Sequence, residues 1–186
     1  MRLFTAIELT GSARAAIAME QKNAVEALRP SKGDLRLVRP EQMHLTLVFS
    51  GEVSEARGAA IAELMTGDIP IRPFTLGLGG LGAFPARGAP RVLYLDVVTG
   101  MSAAIDLHGA VSARLARAGV QRDERPFHPH LTLGRWRESR PSDRPRASAR
   151  TEIAIVEVDR VALFQSRLSS SGSAYTRLAS SRLVSG

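Results

Sequence analysis

Cysteine is absent from the 186 residues. That excludes disulfides, thiolate chemistry and cysteine-ligated zinc, and it fits a cytosolic protein. No uninterrupted run of about 18 apolar residues occurs, so no membrane span is expected. The opening MRLFTAIELT has too short an apolar run and too early an acid for a secretory signal, and reads as a strand. Lysine is nearly missing: Lys22 and Lys32 are the two in the chain, and the rest of the 25 basic residues are arginines. The four histidines, at 44, 108, 128 and 130, show neither H-x-x-H nor H-E-x-x-H spacing, which weighs against a metal hydrolase. The glycine-rich run at 77–82 has no G-K-[ST] and no helix start behind it, so a nucleoside-triphosphate P-loop is rejected.

What is present is a chain long enough for one domain with a substantial core, or for two small lobes packed together. The net charge of +7 and pI of about 11.1 suit a polyanionic partner, nucleic acid first. The arginine skew is equally open to a codon-composition origin.

The pattern predicts alternating strands and helices. Strand 2–9 precedes a helix with Ser12 as N-cap, Pro30 beyond its end, and Ile17, Ala24 and Leu28 at helical spacing. A short strand at 35–40 leads to a strand through His44. A helix over 54–67 follows, from Ser54 to Gly67. Residues 73–85 start as a strand and loosen into a glycine-rich loop. A strong strand at 91–98 precedes a helix over 101–119, with Leu107, Val111 and Leu115 four apart and Gly119 as its stop. A strand through His130, one or two strands in 153–166, and a last one at 174–179 after the turn SSSGS complete the chain. The arginine-rich stretch 137–150, RESRPSDRPRASAR, reads as a mobile surface connection.

Two tetrapeptides carry the chemistry. His44-Leu45-Thr46-Leu47 recurs letter for letter as His130-Leu131-Thr132-Leu133. On a strand, His and Thr at i and i+2 share one face, about 6.5–7 Å apart, with the leucines behind them. One copy is ordinary for a half-exposed strand; two copies using half the histidines are not. The order strand, helix, His-x-Thr strand also occurs twice, which suggests two lobes about an approximate two-fold axis with the motif strands facing across a cleft. Two imidazoles of ordinary pKa near 6.5 can divide between a base and an acid. Two hydroxyls can hydrogen-bond non-bridging phosphate oxygens. That is the equipment for displacement at phosphorus without a metal.

With these motifs in VRPEQMHLTLVFSGEV and RPFHPHLTLGR, and with RLFTAIEL, GLGAFPARGAPRVLYLDV and VALFQSRLSSSGSAYTRL in order around them, the chain resembles the two-histidine phosphoesterases. Within them it looks like the bacterial and archaeal RNA 2′,3′-cyclic phosphodiesterases once described as 2′-5′ RNA ligases. The resemblance implies an α+β bilobal fold over 1–186 as a single domain, with two antiparallel sheets related by a pseudo-two-fold axis, helices outside and the active-site cleft between. It implies hydrolysis of RNA 2′,3′-cyclic phosphate ends to 2′-phosphates, tRNA-like fragments among them, with weak ATP-independent 2′-5′ ligation. It implies no metal or cofactor, no membrane, and a cytoplasmic monomer. Carried over, His44 and His130 are the acid–base pair, with His44 in the position usually assigned as proton donor. Thr46 and Thr132 orient the phosphate.

Arg135 matches a phosphate-binding arginine of the family. Its odd offset from His130 would face it away on a regular strand, so a bulge or strand end is required. Leu37 stands where the family often has Trp. Phe49, Phe84 and Tyr175 are candidates for stacking on a base, with core packing the favoured reading. His108 reads as structural, and His128 is left out of the site. The competing readings are a related activity on another cyclic or 2′-5′-linked nucleotide, and a non-catalytic module that binds RNA ends.

Overall fold

The computed structural model describes residues 1–31, 33–146, 150–169 and 172–185. Residues 147–149 of the arginine-rich connection and 170–171 of the serine turn lie outside the described residues.

Strand β1 (Arg2–Glu8) is buried along its whole middle because it is a central strand. β3 (His44–Glu52) pairs with one edge and β8 (Arg160–Ser169) with the other. β9 (Gly172–Arg182) lies outside β8, giving the first sheet the order β3-β1-β8-β9. The second sheet has the order β2-β6-β5-β4-β7. Its strands are β2 (Leu35–Leu37), β4 (Phe74–Phe84), β5 (Val92–Thr99), β6 (His130–Trp136) and β7 (Glu152–Val158). Every strand pairing in both sheets is antiparallel. Helices α1 (Gly11–Leu28), α2 (Glu55–Leu64) and α3 (Met101–Ala116) complete an α+β architecture. None is long and apolar enough to cross a membrane.

The two sheets do not divide the chain into its halves, as the duplicated order of elements suggests. The C-terminal strands β8 and β9 join β1 and β3, while β2, from the first half, joins β6. Helix α1 packs against β7 of the second sheet. The crossing ties the sheets together where it matters. Val38 N–H donates to the Leu133 carbonyl at 2.9 Å, and the chain then turns through Pro40–Gln42 directly into β3.

Several local expectations shift. Thr10, not Ser12, caps α1: its Oγ1 accepts from Ala13 N–H at 3.2 Å, and its extended backbone (ψ 162°) aims it there. α3 stops at Ala116, and Gly119 (φ +76°) closes the turn after it by donating to the Ala116 carbonyl at 2.9 Å. Leu107, Val111 and Leu115 are all fully buried, as their spacing predicts. The glycine-rich run is not a loop. It belongs to β4, paired with β5 along its length and with β7 as far as Gly79. Its glycines serve close approach: a Cβ at Gly79 would overlap the Thr151 backbone, and one at Gly82 would overlap the Tyr94 ring. The connection 137–150 is held at its described ends. Arg144 donates to the carbonyls of Ala83, Pro85 and Gly88, and Arg150 to Asp96.

Both motif strands carry a bulge at the same place. Between β1 and β3, Ala6 pairs with Thr46 and Thr5 with Val48, so Leu47 is an extra residue. Between β5 and β6, Tyr94 pairs with Thr132 and Leu93 with Gly134, so Leu133 is extra. A bulge disrupts the ladder and leaves backbone groups to be satisfied otherwise. Two buried polar side chains do this. Thr5 Oγ1 accepts from Val48 N–H at 3.2 Å. Gln21 Nε2, on α1, donates to the carbonyls of Leu133 and Val38, both at 2.8 Å. Gln21→Leu is therefore expected to destabilise the protein by about 1–3 kcal/mol, because two interior acceptors lose a donor. Urea unfolding with an unchanged slope and a lower midpoint is the expected result; an unchanged midpoint contradicts it.

Candidate active site

The bulges decide which side chains meet in the cleft. In β6 the extra residue shifts the alternation by one, so His130, Thr132 and Arg135 come to one side, with Arg135 opposite Val92. This is the bulge that the odd offset of Arg135 requires. In β3 the same slip brings His44, Thr46 and Phe49 to one side, with Phe49 opposite Phe4. All six side chains line one open cavity of about 480 Å³, to which Arg2, Gln42 and Tyr175 also contribute. Among the described residues, no carboxylate lines it. With Arg2 and Arg135 on its walls it is a site for an anion.

Each imidazole is held the same way. His44 Nδ1 lies 2.7 Å from the Gln42 carbonyl, and His130 Nδ1 lies 2.8 Å from the His128 carbonyl. A carbonyl accepts only, so in each neutral ring the proton sits on Nδ1, and Nε2 is left free as a base. Aromatic rings hold both imidazoles laterally. Phe4 stacks on His44 at 4.8 Å between centroids, and Tyr175 meets it edge-on at 5.3 Å. Phe84 and Tyr94 meet His130 edge-on at 5.0 and 5.3 Å. Burial pushes both imidazoles below the ordinary value; the carbonyl hydrogen bonds oppose this more weakly, and at His130 the charges of His128 and Arg135 add to the lowering.

An acid stands opposite each histidine on the neighbouring strand: Glu8 opposite His44 and Asp96 opposite His130. Each acid is engaged by an arginine, Glu8 by Arg177 at 3.2 Å and Asp96 by Arg150 at 2.7 Å. Asp96 also takes His128 Nε2 at 3.2 Å. His128, set aside on sequence grounds, thus holds His130 through its backbone carbonyl. Asp96 was legible as the one acid inside the apolar run VLYLDVV; the Gln42 and His128 carbonyls have no signature in sequence. Phe49 and Tyr175 are not core residues, being 53% and 36% exposed. Arg2 lies over the Phe49 ring at 5.0 Å. Phe84 is instead stacked on Tyr94 at 4.3 Å. His108 stacks on Phe127 at 4.0 Å, and neither lines the cavity that His44 and His130 share. Among the described residues, no three His, Asp or Glu side chains converge as metal ligands.

With this geometry in hand, comparison with known proteins decides the family. The family model described as "2'-5' RNA ligase superfamily" matches residues 17–169. The chain belongs to that superfamily. Among curated relatives, an RNA 2′,3′-cyclic phosphodiesterase of Archaeoglobus fulgidus is 33% identical over 96% of this chain and 98% of its own length. One from Thermus thermophilus is 33% identical over 96% and 88%. Among solved structures, E. coli LigT complexed with 3′-AMP superposes with a TM-score of 0.76 at 29% identity, covering 98% of each chain. The two-histidine superfamily anticipated from the tandem motifs is therefore the right one.

The lowered imidazole pKa values fix a sign for stability. Unfolded, both rings bind protons near pH 6.5; folded, they do so only at lower pH. The unfolded chain therefore binds more protons in between, and folded-state stability is full above about pH 6.5 and lost as pH falls through the folded values. The melting temperature is expected to drop from pH 7.5 to 5.5, and to drop less in a His44→Asn/His130→Asn variant. Equal drops in both proteins contradict the assignment.

Proposed function

We propose that the chain is a metal-independent RNA 2′,3′-cyclic phosphodiesterase, with His44 and His130 as its acid–base pair. The observation that carries this reading is the matched pair of Nδ1-to-carbonyl hydrogen bonds, which leaves an open Nε2 on each of two rings lining one cavity. The names of the relatives support the substrate class.

The cyclic phosphate enters with its non-bridging oxygens toward Thr46, Thr132 and Arg135, whose hydroxyls and guanidinium stabilise the charge that builds there. His130 Nε2 removes a proton from water as the water oxygen bonds to phosphorus. The bond from phosphorus to the 3′-oxygen breaks, and protonated His44 gives its Nε2 proton to that oxygen. The products are a 2′-phosphate and a 3′-hydroxyl. Burial disfavours the charged imidazole, while the bound phosphate anion favours it, so substrate itself charges the acid. An RNA 5′-hydroxyl in place of water gives 2′-5′ ligation by the same steps without ATP. In this reading both lobes act as one bilobal unit, a cytosolic monomer working on RNA ends such as those of tRNA-like fragments. The basic surface, +7 overall, assists encounter with RNA and makes it salt-dependent.

The test uses a short RNA with a 2′,3′-cyclic phosphate end, in EDTA and without ATP, with the product followed by phosphorus NMR. Conversion to the 2′-phosphate is expected, and His44→Ala or His130→Ala should each lower kcat by about 10²–10⁴-fold with RNA binding little changed. A 3′-phosphate product, loss of activity in EDTA, or full turnover in either variant overturns the proposal. RNA binding without turnover by the wild type would favour the end-binding module.

A further inference from the structure

A second cavity, of about 550 Å³, opens beside the first and shares Thr46, Phe49 and His130 with it. It lies between the middle of β3 and the face of α3, roofed by residues 120–128. It reaches His130 but not His44 or Thr132. Whatever oxygen His130 serves at phosphorus therefore has this cavity behind it. In an in-line displacement that position is common to water and to any alcohol. Room behind it decides whether an alcohol can take it.

We propose that the second cavity seats a nucleoside presenting a 5′-hydroxyl, so that the two cavities together span a 2′-5′-linked nucleoside pair. The inference rests on the cyclic-phosphate reading and assigns a place that the reading leaves open. The walls suit a nucleoside. Val48, Val120 and the Phe127 ring are apolar, and Phe127 is already stacked flat against His108, with an interplanar angle of 7°. Ser112 and Gln121 supply hydrogen-bonding groups, and Arg122 stands at the exposed rim, where the next phosphate of an RNA strand would pass. Planar apolar surface with a few polar groups is what base stacking uses. The reaction balances: the 5′-oxygen bonds to phosphorus, the bond to the 3′-oxygen breaks, the 5′-hydroxyl proton goes to His130 and a proton from His44 goes to the 3′-oxygen.

The test compares two diesters by direct titration. One is 3′-deoxyadenylyl-(2′→5′)-adenosine, which lacks the 3′-oxygen needed to close a cyclic phosphate and so is not turned over. The other is 3′-deoxyadenosine 2′-(methyl phosphate), the same diester without the second nucleoside. The dinucleotide is expected to bind at least tenfold more tightly. Ser112→Phe, which fills the cavity from α3, and Gln121→Trp, which narrows it from the exposed rim, should each reduce that advantage to within twofold. Both should leave hydrolysis of adenosine 2′,3′-cyclic phosphate within twofold of wild type. Equal affinity for the two diesters overturns the proposal. So does an advantage that survives in the variants. It is also overturned if the variants instead weaken a 3′-5′ dinucleotide ending in the cyclic phosphate, since the cavity would then hold the upstream nucleoside. Failure of the wild type to hydrolyse the cyclic phosphate strikes the proposed activity, and is read separately from the two affinities.

Discussion

An extra residue directly after the motif threonine of each motif strand organises the cleft. Leu47 and Leu133 slip the alternation of β3 and β6 at matching points, and each slip adds a third side chain to the face that holds His and Thr. On one strand that third residue is Phe49, on the other Arg135. The repeat thus supplies two copies of the His–Thr pair and, one step further along, two different groups: an exposed aromatic ring and a guanidinium. Regular strands would turn both away. The interior has adapted to hold the slips, with Thr5 and Gln21 buried against the disturbed backbone.

The second constraint is how the imidazoles are held. Backbone carbonyls two residues before each ring orient it by short, stiff connections, and aromatic rings from β1 and β4 pack against its sides. The two effects act in opposite directions on protonation, and burial is the larger. In the proposed mechanism both rings are bases in the free protein, and an arriving phosphate anion makes one of them an acid. Carboxylates are kept off the cavity wall: Glu8 and Asp96 sit opposite the histidines but are tied to Arg177 and Arg150. A free carboxylate facing the site would repel any anion entering it.

Much of this was legible in the sequence. The tandem HLTL motifs marked the two strands that meet, and strand alternation put His and Thr together on each. The odd position of Arg135 even required the bulge that β6 has. What could not be read was tertiary. β8 and β9 complete the first sheet from the far end of the chain, because strand pairing is a long-range choice that local pattern does not encode. The glycines of 77–82 looked like a loop because glycine is a poor strand former. Their reason is the closeness of Thr151 and the Tyr94 ring, which belong to other strands. Phe49 looked like core because aromatic residues in strands usually are; only the register slip exposes it. The support from the His128 and Gln42 carbonyls is invisible because every residue has a carbonyl.

The central claim is that two neutral imidazoles face one cleft through Nε2 and that a bound phosphate charges one of them. Nitrogen-15 NMR of the histidine side chains, in the free protein at pH 7 and with an RNA 2′-phosphate bound, tests it most directly. The account predicts that His44 and His130 are both neutral Nδ1–H tautomers when free, and that one of the two becomes an imidazolium in the complex. A free ring protonated on Nε2 instead, or two rings that both stay neutral with phosphate bound, would contradict it.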